Sequence, residues 1–130
     1  QSGGSVLLTT SRRTGRKAEM ALMQVVPEPR SVHVWQPDGD NPYLGMLALA
    51  DAIVVTGDSV TMCAEACATS VPVYIDAPPR SVSAKHARLH QQFYDLGYAK
   101  PLGTRFEAWT HTPHNPAGDI AEAIRRAALC

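Results

Sequence analysis

Residues 52–65, Ala-Ile-Val-Val-Thr-Gly-Asp-Ser-Val-Thr-Met-Cys-Ala-Glu, run from a four-residue apolar strand through Gly57 and two polar residues directly into a helix. A strand that feeds a helix at once leaves no hairpin. Its next sheet neighbour has to be reached by a crossover, which makes the pairing parallel. The same junction attracts negative charge. The first N–H groups of a helix have no acceptor within it, and the aligned peptide dipoles place partial positive charge at that end. Gly57, Asp58, Ser59, Val60 and Thr61 are therefore expected to hold a phosphate. Glu65 follows Thr61 by four positions and shares its face. At about 1.5 Å rise per residue it lies roughly 6 to 9 Å past the helix start, about the separation of a diphosphate from its ribose hydroxyls. The expected ligand is a nucleoside diphosphate lying along this helix tip.

The rest of the chain repeats the pattern. Residues 6–10 read as a buried strand and 14–23 as the following helix, with Ala18, Leu22 and Val25 or Val26 recurring at helical spacing. Residues 31–35 form a second short strand, and a polar loop over 36–42 ends at Asn41-Pro42, read as an N-cap and first helical position of a helix over 43–49. A third strand over 52–56, a helix over 60–69, a fourth strand over 71–75 and a helix over 83–96 stopped by Gly97 follow, with a closing helix from Asn115 to Ala128. Strands alternating with helices of about ten residues predict a doubly wound parallel sheet with helices on both faces, a Rossmann-like three-layer α/β/α fold. The apolar runs at 53–55 and 71–75 are continuous rather than alternating, as expected of strands buried on both sides.

At 130 residues the chain is expected to be a single domain spanning 1–130. Twelve basic and twelve acidic side chains cancel, which argues against nucleic-acid or anionic-membrane binding and for a small-molecule partner. The apolar stretches fall well short of the roughly 20 residues of a membrane span, and the start lacks the pattern of a signal peptide. The expectation is a soluble, cytoplasmic, bacterial protein. A Gln-Ser-Gly-Gly start without Met suggests a piece of something longer. Of three cysteines, Cys63 and Cys67 lie one helical turn apart and read as small buried hydrophobes, while Cys130 is a free terminal thiol. No metal site is expected. His86, His90, His111 and His114 form no His-Glu-x-x-His frame, and Asp38, Asp40 and Asn41 read as a plain turn, not a cation loop. Trp35, Tyr43 and Trp109 read as packing residues, Tyr43 with the option of bordering a base.

The order Thr9-Thr-Ser-Arg-Arg-Thr14, Trp35, Asp40-Asn-Pro-Tyr-Leu-Gly45, Ala50-Asp51, Thr56-Gly-Asp-Ser-Val-Thr-Met62, Glu65-Ala66 and Pro72-Val73 resembles the C-terminal half of the mitochondrial-fission, elongated-mitochondria protein family. Bacterial members of that family are often labelled nucleoside-diphosphate-sugar epimerases. The resemblance covers Val6 to Gly97 and weakens beyond. The family is similar in turn to GT-B glycosyltransferases, built from two facing Rossmann-like domains of which the C-terminal one binds the nucleotide sugar. The resemblance implies that Ser59, Val60 and Thr61 give N–H groups to the diphosphate and that Glu65 binds the ribose. It also implies that Ser11, Arg12 and Arg13 lie beside the phosphates and that the base is held within residues 40–44, where Asn41 is the candidate. The sugar-facing position falls at Ser83, Lys85 and His86, and there the acid or amide usual in many transferases is missing. No separate cofactor is implied, since the nucleotide is itself the ligand. The acceptor groove and any catalytic base would come from an N-terminal domain absent from this chain, so the chain alone would bind without turning over. A homodimer through the surfaces that domain would cover stays open.

Each motif has a plainer alternative. Arg12-Arg13 offers paired donors to phosphate oxygens, or is a solvated basic turn continued by Arg16 and Lys17. Glu65 is flanked by small apolar residues and wants a specific partner. Asp58 is better suited to capping the helix than to facing a diphosphate, which it would repel. An NAD-dependent epimerase needs a glycine-rich turn after the first strand, yet residues 9–14 contain no glycine, and there is no Tyr-x-x-x-Lys. A hydrolase using Ser59 of Gly57-Asp58-Ser59 needs a His and an orienting Asp, and no Asp-x-x-His occurs. The main alternative to a glycosyltransferase-type nucleotide-binding domain is a non-catalytic interaction domain of the same family.

Overall fold

The computed structural model describes residues 4–34, 36–80, 82–103 and 105–129. Trp35 and Cys130, singled out above, lie outside the described residues. The chain divides into two compact units, Gln1–Ala50 and Asp51–Cys130.

In the first unit, β1 (Val6–Thr9) pairs in parallel with β2 (Arg30–His33), in register from Val6 opposite Arg30 to Thr9 opposite His33. The crossover carries α1 (Arg16–Val25), and α2 (Tyr43–Leu49) follows β2. The helix expected from Thr14 begins two residues later because residues 11–14 close on themselves. The Thr14 N–H reaches the Ser11 carbonyl at 3.1 Å and the Ser11 N–H reaches Thr14 Oγ1 at 2.9 Å, after which Gly15, at φ 78°, turns the chain into the helix. The N-cap position of α2 falls on Pro42 and not on Asn41 as expected; Asn41 sits one residue before it, where its Oδ1 accepts the Tyr43 N–H at 3.0 Å across Pro42.

In the second unit, β3 (Ile53–Thr56), β4 (Val73–Asp76) and β5 (Lys100–Pro101) form a parallel sheet in that order. The strand β5 was not anticipated; two residues, one of them proline, carry no alternation to read. The helices are α3 (Val60–Cys67), α4 (Ala84–Asp95) and α5 (Pro116–Leu129). Val55, Val73 and Ile75 share one face of the sheet and pack with Cys63, Ala66 and Cys67 of α3 and Phe93 of α4 to make the core. The opposite face is different. Tyr74 is covered there by an irregular segment, edge-on to Phe106 and Trp109 at 4.8 and 5.1 Å between centroids, with its hydroxyl hydrogen-bonded to the Glu107 backbone. The central strand β4 is thus buried on both sides as its continuous apolar run predicts, whereas β3 is not. It is the edge of this sheet, and Val54 is 52 % exposed. The end of α4 is set by Gly97 at φ 79°. Its N–H bonds the Tyr94 carbonyl and the next N–H, from Tyr98, bonds that of Phe93, a pairing that only a left-handed residue at this position allows.

None of the helices is long and apolar enough to cross a membrane among the described residues.

Two stability predictions follow from this packing. Ile75→Ala, which empties a fully enclosed position in β4, is expected to cost about 2–5 kcal/mol, against less than about 1 kcal/mol for Val54→Ala at the exposed edge. Denaturant titration of both variants checks the difference. Gly57→Ala would place a methyl 2.7 Å from both Ala77 Cβ and His90 Cε1. Overpacking of this kind costs about 1–3 kcal/mol and should lower the melting temperature measurably.

Candidate functional site: the strand-to-helix junction

The junction between β3 and α3 runs from strand straight into helix as the sequence predicts, but its cap is Ser59 and not Asp58, the carboxylate expected to take that role, because Ser59 is the residue whose side chain reaches the Met62 N–H. Ser59 is the N-cap of α3, its side chain accepting the Met62 N–H at 3.3 Å and its carbonyl the Cys63 N–H at 3.1 Å. The Gly57 N–H is also occupied, by the Asp76 carbonyl at 2.9 Å, which ties the junction to the end of β4. The N–H groups of Val60 and Thr61, the first two residues of α3, have no acceptor among the described residues. They define a two-amide anion cradle at the positive end of α3.

Around that cradle, Thr61 is exposed and Glu65 half-buried, one turn apart on the face opposite the buried Cys63, Ala66 and Cys67. The Glu65 carboxylate has no hydrogen-bond or ion-pair partner among the described residues. Asp58 is exposed beside the cradle and raises the Cys63 pKa, secondary to burial, to about 11. Burial and then Cys63 push Cys67 to about 12. Both cysteines are therefore protonated core side chains without nucleophilic or metal-binding character.

Of the sugar-side candidates, Ser83 caps α4, accepting the His86 N–H at 3.2 Å, and Lys85 and His86 occupy the first turn of that helix. One turn later stands a residue the sequence reading passed over as a site member. His90 is 2 % exposed, and its ring is seated against Gly57. No periodicity signals that contact; it exists because the chain at 57 has no side chain. Ser11, Arg12, Arg13 and Asn41 belong to the first unit. There the Ser11 and Arg13 N–H groups are taken by Thr14 Oγ1 and Ser11 Oγ, at 2.9 and 3.3 Å, so this turn offers an anion its exposed guanidinium groups and not its amides at 11 and 13.

Ser59 Oγ makes no hydrogen bond to a histidine among the described residues, and its acceptor role at Met62 is that of a cap and not of a nucleophile. No group of three or more His, Cys, Asp or Glu side chains is placed to hold a metal ion among the described residues. A shallow, largely apolar groove of about 670 Å³ opens elsewhere, lined by Asp51, Ser70, Val71, Phe106 and Trp109. These residues include those preceding β3 and β4, at the amino ends of the strands, whereas parallel α/β sheets bind ligands at the carboxyl ends, where Gly57 and Ala77 lie.

Comparison with known proteins places this geometry in a lineage. The model of the mitochondrial fission ELM1 family matches residues 1–128. The chain is 34 % identical over 132 residues to "Mitochondrial fission protein ELM1" of Arabidopsis thaliana, covering 95 % of this chain and 29 % of the plant protein. It is 38 % identical over 91 residues to "Uncharacterized protein RP120" of Rickettsia prowazekii (strain Madrid E), covering 68 % of this chain and 26 % of that one. The chain thus spans under a third of the length of either relative. No solved structure matches. On the extent of the family match and the identity to the plant protein, the chain belongs to the mitochondrial fission ELM1 family.

Proposed function

We propose that this chain binds a nucleoside diphosphate, or the diphosphate of a nucleotide sugar, at the amino end of α3, as a Rossmann-like, doubly wound domain of the kind that forms the C-terminal half of GT-B glycosyltransferases. The observation that carries the reading is the pairing of two unspent amides, at Val60 and Thr61, with an unpartnered carboxylate, Glu65, one turn deeper on the same helix. The amides and helix dipole meet the phosphates, and Glu65 accepts the ribose hydroxyls. Arg12, Arg13 and Asn41, which the family resemblance implies for the phosphates and the base, belong to the first unit. Any chemistry would be glycosyl transfer helped by electrostatic stabilisation of the departing diphosphate, with the acceptor and its base supplied by further parts of the full-length protein. The second reading is a non-catalytic interaction domain of the same family, one that keeps the fold without the ligand.

Isothermal titration of the chain with UDP, GDP and CMP separates the two. A diphosphate should bind more tightly than CMP, and Glu65→Ala should weaken it by about 10- to 100-fold, the value of a charge-assisted hydrogen bond of about 1.5–3 kcal/mol. Absence of heat and of chemical-shift change with every nucleotide would rule the binding reading out.

A further inference from the structure

His90 is 2 % exposed, yet its Nε2 atom has no hydrogen-bond partner among the described residues. The imidazole lies directly beneath the strand-to-helix junction: a Cβ on Gly57 would stand 2.7 Å from Cε1 and 3.2 Å from Nε2. A buried ring nitrogen without a partner weakens the folded state and calls for an explanation, of which an ion bound beside it is one. Here the neighbouring feature is the two-amide cradle of Val60 and Thr61, three and four residues after Gly57.

The surroundings disfavour the charged form of the ring. Burial holds the His90 pKa below its usual value, the Gly57 carbonyl works in the opposite direction, and His86 adds to the depression. The titratable and charged groups on the elements packed around it are Asp58 in the junction, Cys63, Glu65 and Cys67 on α3, Tyr74 and Asp76 on β4, and Lys85, His86, Arg88, Tyr94 and Asp95 on α4. Burial raises the pKa of Cys63 and of Tyr94, so both stay protonated. Neither Asp58 nor Asp76 hydrogen-bonds Nε2. Only an added anion changes the balance.

We propose that His90 is the counter-charge of the anion site: it takes up a proton when the diphosphate of a nucleotide docks on the Val60 and Thr61 amides. The inference rests on the nucleotide-binding reading above. The proton comes from solvent and goes to a ring nitrogen; no other bond is made or broken. His90 acts through the junction, as a positioning residue that charges on binding, and it makes diphosphate affinity rise as pH falls. The sign follows from linkage: the ligand-bound state holds a proton that the free state lacks below neutrality.

The test is a titration of the His90 imidazole by NMR from pH 8 to pH 5, alone and saturated with UDP, with UDP affinity measured in parallel for the parent chain and His90→Gln at pH 8 and pH 6. The expected result is a His90 pKa at least one unit higher in the UDP complex. The parent should then gain affinity relative to His90→Gln on going from pH 8 to pH 6, by a few-fold of the roughly tenfold that one unit is worth once the pH lies below both titrations. UDP binding with an unchanged His90 titration overturns this inference and leaves the nucleotide reading standing. No UDP binding at any pH overturns both. If His90→Gln does not fold, the titration of the parent chain decides alone.

Discussion

The contact between Gly57 and His90 is the constraint on which the functional end of the second unit depends. A strand can turn into a helix at this point only if the chain passes between Ala77 and the imidazole, and the 2.7 Å separations leave no room for even a methyl group. Passing there lets the Gly57 N–H bond to the Asp76 carbonyl and starts α3 at Val60 with Ser59 as its cap. Everything the junction offers a ligand comes after that. The cap spends the Met62 donor and the sheet that of Gly57, which leaves the first two amides of α3, at Val60 and Thr61, without an acceptor among the described residues.

Glycine at this position therefore answers to packing first. The Rossmann-type explanation, in which a glycine lets a phosphate approach the backbone, does not describe it, because the missing side chain makes room for a protein group on the inner side. The same closeness makes a buried histidine part of the environment of the α3 amino end. The cradle is small, two amides and a dipole, with an exposed carboxylate of opposite effect at Asp58. In the proposed reading, such a site binds a diphosphate usefully only with help from further positive charge, which guanidinium groups or an imidazolium can supply.

Much of this architecture was legible in the letters, and the reason differs from element to element. Helix α2 was placed at its observed bounds, residues 43–49, because Asn41-Pro42 is strong local chemistry. Strand β4 was legible because a run of apolar residues with no polar alternation is the pattern of a strand enclosed on both faces, and here both faces are covered. The exposed edge of β3 was not, since Ile53-Val-Val reads the same whether or not its second face is covered. The late start of α1 was hidden because a Ser11–Thr14 turn competes locally with helix, a choice made by side-chain hydrogen bonds that periodicity does not record. At the candidate site the helix end and its carboxylate could be read from spacing alone. Which amides remain unspent, and that His90 rather than His86 meets the junction, depended on contacts between residues 33 positions apart. Family membership was legible from the motif order and is supported over residues 1–128.

The most direct test of the account is a backbone amide spectrum of the chain recorded during addition of a nucleoside diphosphate. The amides of Val60 and Thr61 should shift furthest and saturate together, while that of Gly57, held by Asp76, moves little. Shifts confined to other parts of the chain, or none at all, would contradict the central claim that the amino end of α3 is the anion site.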